Sequence, residues 1–397
     1  MPAGSGSAAR GAPGGVPRVV VVTGVSRFIG AHVAARLAVD PRVARVIGLD
    51  AAAPPPDLAA LLGDVDVIRV DPGSGTSVLA DLGAEAVVHL AVAAQADPGA
   101  GGRAVQKELN VIGTMQVLAA CQQAARLRKL VLRSSTAAYG ASFRDPAVFT
   151  EETEPRELPR GGFARDILDI EGYLRGFRRR RPDVTATVLR FAPLIGPRAD
   201  TTLSRYFSRP VVPTVLGRDP RLQFVHSDDA LEVLHRAVIE EHPGTFNVAG
   251  AGVLTLSQAI RRAGRLAMPV IEPGLSATAA LGANVGLRSF GLDQLDLFVH
   301  GRVVDTTRLV TEFGFTPRTT AEAFDEFIRG QGEATRVLDT ERLARAEQAV
   351  LAGIRQVREA VREHAGQDRE SARERARQVR GAAREHPGQV RAGREGS

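Results

Sequence analysis

The ordered part of the chain opens with four consecutive valines, Val19 to Val22, followed at once by a glycine-containing turn. A continuous apolar run of this kind reads as a strand buried on both faces, the habit of a parallel sheet. It predicts a strand over 18–23. The period then changes, and apolar residues at helical spacing predict a helix over 29–38. Shorter apolar runs predict strands over 43–49, 65–70 and 85–90, the first two ending at Asp50 and Asp71. Helical periodicity over 107–126 leads to a fifth strand over 130–133, which feeds Ser134, Ser135 and Thr136. A helix over 164–180 stops before Pro182, and a sixth strand covers 185–190. This alternation predicts an α/β fold, a Rossmann-type doubly wound parallel sheet.

Past Gly196 the pattern loosens into proline-punctuated pieces. This predicts a smaller substrate lobe, mainly over 196–330, after a nucleotide-binding core over about 17–195. Residues 1–16 are dominated by Gly, Ala, Ser and Pro without an apolar segment, and read as a disordered extension, not a secretory signal. No later stretch approaches the roughly 18 to 20 uninterrupted apolar residues of a membrane span. The tail over 331–397 differs in composition, with 14 arginines against 11 acidic residues. Leu343, Val350 and Val357 stand seven apart, with Ile354 and Val361 between the same turns. This seam predicts an amphipathic helix over 337–364 that packs on its own domain, on a second copy in a homodimer, or on another partner. Beyond Gly366 the seam fades into alternating Arg and Glu, a solvated or disordered end.

Composition narrows the classes further. A 44% hydrophobic share of 397 residues can bury a large core, either two domains or one elaborated domain. Of 51 basic residues, only Lys107 and Lys129 are lysines. So strong a bias, with abundant Ala, Gly and Pro, fits GC-rich coding. The net charge of +6 comes from arginines interspersed with acids, and aromatics make up 5%, so no nucleic-acid partner is expected. A single cysteine, Cys121, excludes an intramolecular disulfide and a multi-cysteine zinc site; no metal is expected. The expectation is a soluble, cytoplasmic protein without a membrane partner.

The segment Thr23 to Gly30 joins the first strand to the first helix. Glycines are needed there because the backbone must turn tightly and approach a pyrophosphate resting on exposed helix N–H groups. Asp50 follows Gly30 by twenty residues at the end of the second strand, placed to accept hydrogen bonds from a ribose 2′-hydroxyl and to repel a 2′-phosphate. This favours NAD over NADP. Arg27 works the other way, since a cation in this turn can pair with a 2′-phosphate.

From Thr23–Gly30 and Asp50 onward the chain resembles an extended short-chain dehydrogenase/reductase of the NAD-dependent epimerase/dehydratase family, over about residues 17–330. The resemblance includes Asp71, His89-Leu90-Ala91, Asn110 to Thr114, Ser134 to Gly140, and Phe224 to Asp229. It implies a cofactor site with Gly24 and Gly30 at the pyrophosphate, Asp50 at the adenosine ribose, Asp71 at adenine, and Ala91 and Asn110 along the nicotinamide half. Ser26, Arg27, Phe28, Ile29, Leu90 and Ser134 complete the implied set. Arg27 replaces the middle glycine of the family fingerprint; as a phosphate ligand in its own right, it is compatible with binding.

The family's chemistry uses a Ser or Thr with a Tyr-x-x-x-Lys pair. The tyrosine moves a proton on or off a substrate hydroxyl, and the lysine cation favours its phenolate, which otherwise forms near pH ~10. Ser135, four residues before Tyr139, matches the serine. The family pattern, laid on with Glu171 in register, puts Phe163 where the tyrosine belongs and Ile167 where the lysine belongs. Neither lysine of the chain lies within 30 residues after Ser135, so no shift of register restores the pair. Losing acid–base catalysis typically costs about 10²- to 10⁴-fold. Tyr139 is a candidate replacement acid, although the family usually carries Tyr there. Asp166 and Asp169 are candidate bases if buried, and otherwise a solvated helix face; His89 reads as structural.

The substrate side departs from the family too. Pro193 stands where an Asn often contacts the sugar nucleotide, and Leu222 where an arginine often clamps its diphosphate, with Arg221 adjacent as a substitute. Two functions follow. One is an NAD-dependent epimerase, dehydratase or reductase acting on a sugar nucleotide or another hydroxyl or ketone substrate through Ser135 and a non-standard acid–base group. The other is a catalytically inactive NAD-binding sensor or scaffold that signals through its C-terminal helix.

Overall fold

The computed structural model describes residues 15–70, 78–94, 102–156, 158–159, 162–270 and 292–331. The chain divides into two compact units, Met1–Val337 and Leu338–Ser397. The second unit lies outside the described residues, as do residues 1–14 and the whole of the helix expected over 337–364.

Seven parallel strands form the central sheet: β1 (Val19–Thr23), β2 (Arg45–Asp50), β3 (Asp66–Arg69), β4 (Ala86–His89), β5 (Lys129–Ser135), β6 (Thr185–Phe191) and β11 (Gly244–Val248), in the order β11-β6-β5-β4-β1-β2-β3. Every neighbouring pair is parallel. The strand order reverses between β1 and β4, which opens a crevice at their carboxyl ends where such folds bind ligands. One face buries Val20, Val22 and Val131 with side chains of α1 (Phe28–Ala38) and α8 (Ser227–Ile239). The other buries Val21, Leu130 and Leu132 with α5 (Gly113–Gln123) and α6 (Gly162–Arg180). This two-sided burial is why the strands read as unbroken apolar runs.

Two features depart from the pattern read along the chain. The helix expected over 107–126 is three pieces: α4 (Gly102–Lys107), a π-helical turn (Glu108–Ile112) and α5. The Gly113 N–H reaches back to the Glu108 carbonyl, and Asn110, in the widened turn, bonds the Ala93 backbone through both ends of its amide (2.8 and 3.0 Å). That tether compensates for the weaker helix geometry. Secondly, β11 lies deep in the second half of the chain yet completes the main sheet, so core and lobe interleave in sequence.

The lobe has its own core, in which Tyr206, Phe207, Phe224, Phe298, Phe324 and Phe327 pack together. Around it lie β8 (Val211–Val215) paired with β13 (Leu266–Val270), β9 (Arg221–Leu222) paired with β12 (Leu254–Thr255), and helices Leu292–His300 and Thr320–Gly330.

Candidate cofactor and active site

The turn after β1 is built to close tolerances. Gly24 has φ +82°, and a Cβ there would stand 2.8 Å from the Ala91 backbone nitrogen. A Cβ on Gly30 would collide with the Gly24 carbonyl oxygen. Both positions therefore demand glycine. Arg27 is the N-cap residue of α1, but no side chain caps the helix and its first turn carries no acid. The helix thus begins with uncapped N–H groups and the positive end of its dipole. Asp50 is locked to the turn: its Oδ2 accepts the Ser26 N–H at 2.8 Å and its Oδ1 the Ala52 N–H at 3.2 Å. Gly24, Ser26, Arg27, Asp50 and Ala91 all line a cavity of about 220 Å³. Asp71 lies outside the described residues.

A second cavity, of about 680 Å³, opens beyond Arg27 and is lined by Phe28, Ile29, Gly30, Leu90, Ser134 and Ser135. Phe163 and Ile167 face the same space. Ser135 ends β5 as N-cap of a 3-10 turn (Thr136–Tyr139), its Oγ accepting the Ala137 N–H at 3.1 Å. Ser134 donates to Glu171 Oε1 at 2.5 Å, and Arg190 grips the same carboxylate at 2.9 and 2.7 Å. Tyr139 lines neither cavity. It is buried, stacked on Phe149, donates its hydroxyl to Asn247 Oδ1 at 2.7 Å and accepts from Arg190 at 2.8 Å. Burial raises its phenol above the ordinary value, against the pull of Arg190 and Asn247. Asn110 also lies behind the cavity walls, fully buried.

Two other titratable candidates, Asp166 and His89, are occupied as well. Asp166 is fully buried, unlike a solvated helix face, and Arg103 of α4 holds it by two bonds of 2.5 and 2.7 Å while Asn110 adds a third at 3.0 Å. Asp169 is exposed. His89 bridges Thr23 and Thr114 at 2.8 Å on each side, and burial lowers it to about 4, so the ring is neutral. Lys129 sits at the amino end of β5, away from Ser135 at the carboxyl end, and Lys107 is exposed on α4. Burial pushes the Cys121 thiol up to about 12. Among the described residues, no group of His, Cys, Asp or Glu could hold a metal ion.

Pro193 lines the larger cavity as the sequence suggests, whereas Leu222 is buried in the lobe core and Arg221 donates to the Ala147 carbonyl at 3.0 Å. Two cationic lining residues escaped the sequence reading, Arg133 and Arg302. Arg302 belongs to a distant segment and carries no local signal. Arg133 did leave one, a charge at the end of the buried run Leu130-Val131-Leu132.

The profile of the NAD dependent epimerase/dehydratase family matches residues 20–249, and the chain belongs to that family. An uncharacterized protein of Mycobacterium tuberculosis is 46% identical over 330 residues, covering 82% of this chain and 87% of that one. The fold is similar to UDP-glucose 4-epimerase of Thermotoga maritima, solved with UDP-glucose (TM-score 0.60, 20% identity, 79% of this chain and 98% of that one). It is equally similar to dTDP-glucose 4,6-dehydratase of Bacillus anthracis, solved with NAD (TM-score 0.61, 15% identity, 80% and 98%). Among the described residues, no helix is long and apolar enough to cross a membrane.

Proposed function

We propose that the protein binds NAD along the carboxyl edge of its sheet and does not carry out the family's redox step at an appreciable rate. In this reading Asp50 holds the adenosine ribose in the smaller cavity. The uncapped start of α1 and Arg27 receive the diphosphate, and the nicotinamide half extends into the larger cavity toward Ser135. A sugar nucleotide or another hydroxyl or ketone ligand shares that larger cavity. The complexes of the two solved relatives, with UDP-glucose and with NAD, support these ligand classes. The glycine turn supports the cofactor, because it presents backbone N–H groups with no side chain in the way.

Bound NAD would supply a hydride acceptor, but a substrate hydroxyl must also lose its proton. The observation that carries the reading is that Phe163 and Ile167 stand on the cavity wall with Ser135. Neither can take that proton or stabilise its acceptor. Tyr139 and Asp166 are held in buried networks off the lining. Ser135 alone can orient an oxygen without activating it, since an isolated hydroxyl is a poor base.

Calorimetric titration of the purified chain with NAD and NADP tests the binding half. Saturable NAD binding, with NADP weaker and the preference reduced in Asp50→Ala, is the expected result. Absence of binding by either dinucleotide would overturn the reading.

A further inference from the structure

Arg133 is a charge that the nucleotide-binding turn does not explain. Its predecessors Leu130, Val131 and Leu132 are fully buried and apolar. Its side chain reaches the loop after β4, Nη1 donating to the Val92 carbonyl at 3.1 Å. Among the described residues no carboxylate pairs with it, and none pairs with Arg27 on the same cavity. Burial lowers its guanidinium to about 10, with repulsion from Arg27 in the same direction, so it remains charged at neutral pH.

On the rest of the described lining, no buried carboxylate faces this charge. Arg302 lies on the same lining with its guanidinium engaged, donating to the Gly140 carbonyl at 2.7 Å. Asp200 is the lone carboxylate on the described lining, and it is exposed, with Arg205 Nε 3.4 Å away. The buried carboxylates Glu171 and Asp166 are neutralised by Arg190 and Arg103, neither of which lines the cavity.

We propose that Arg133 makes the protein discriminate the redox state of its dinucleotide, holding NADH more tightly than NAD. The inference rests on the dinucleotide binding proposed above. The two forms share the adenosine, the diphosphate and both riboses, and differ in the nicotinamide ring, which is cationic when oxidised and neutral when reduced. Arg27 borders both cavities and acts on the diphosphate common to the two forms. Arg133 borders only the larger cavity, and its charge repels the oxidised ring alone. Two like charges about 6 Å apart at an effective dielectric of about 40, between the values for a protein surface and for bulk water, give an effect on the order of tenfold in affinity.

The test is calorimetric titration of the full chain with NAD and NADH in one buffer, repeated with Arg133→Gln and Arg27→Gln. The dissociation constant for NADH should lie on the order of tenfold below that for NAD, and the ratio should shrink with added salt. Arg133→Gln should bring the ratio toward one, while Arg27→Gln weakens both forms by a similar factor. The wild-type ratio stands as a test even if a variant fails to fold. Equal affinities, tighter NAD, or an unchanged ratio in folded Arg133→Gln would overturn this inference and leave dinucleotide binding intact. Binding of neither form would overturn both.

Discussion

Lys129 donates to the Glu240 carbonyl oxygen at 2.6 Å, and its ammonium also reaches the Val238 carbonyl at 2.9 Å and Glu241 Oε1 at 2.9 Å. The cation closes the carboxyl end of α8, where unsatisfied carbonyls and the helix dipole favour it. Burial lowers its pKa, and Glu241 opposes that shift. One of only two lysines is thus committed to the foot of the sheet, a strand's length from the site.

Replacing Lys129 with methionine should therefore cost about 1–3 kcal/mol of stability, as carbonyls lose their donor, without changing dinucleotide affinity. Urea unfolding alongside a binding titration separates the two effects. A drop in affinity with unchanged stability would place Lys129 in the site after all.

Gly30→Ala should impair both folding and binding, because its methyl group meets the Gly24 carbonyl, which belongs to the same rigid turn. Overpacking of this kind costs about 1–3 kcal/mol. Thermal unfolding should shift downward, and saturation with NAD should recover less of the lost stability than it does for the wild type.

His89 gives the stability a pH dependence of definite sign. In the folded chain the ring titrates at about 4, against about 6.5 when unfolded. Between these values the unfolded state binds the extra proton, so stability rises with pH there and falls as pH drops from 6.5 toward 4. The loss should be on the order of 2–3 kcal/mol. Comparing urea midpoints at pH 7 and 5 for wild type and His89→Gln checks it, since the variant should lack this part of the slope. A parallel slope in the variant would remove His89 as its source.

What the sequence made legible was local. The valine run and the demand for glycine at 24 and 30 each follow from neighbours within one strand–turn–helix unit, whereas Phe163 and Ile167 stand out only when the family pattern is laid on the chain; both line the larger cavity with Ser135. The features that were not legible depend on distant partners. Asp166 is buried because Arg103 reaches it from 63 residues away, and β11 joins β6 across an intervening stretch that includes β8, β9 and α8. Tyr139 lies next to Ser135 in sequence, yet Asn247 and Arg190 hold its hydroxyl in a buried network. Periodicity carries none of these pairings.

Retention of the cofactor without the groups that move the proton is the proposed state of the larger cavity. It is tested most directly by a single-turnover experiment, in which NAD-saturated protein is mixed with a panel of UDP- and dTDP-sugars and the absorbance of reduced nicotinamide is followed. The wild type should stay flat, and the paired replacement Phe163→Tyr with Ile167→Lys should gain a reduction phase. Prompt reduction of NAD by the wild-type chain, unaffected by that replacement, would contradict the account.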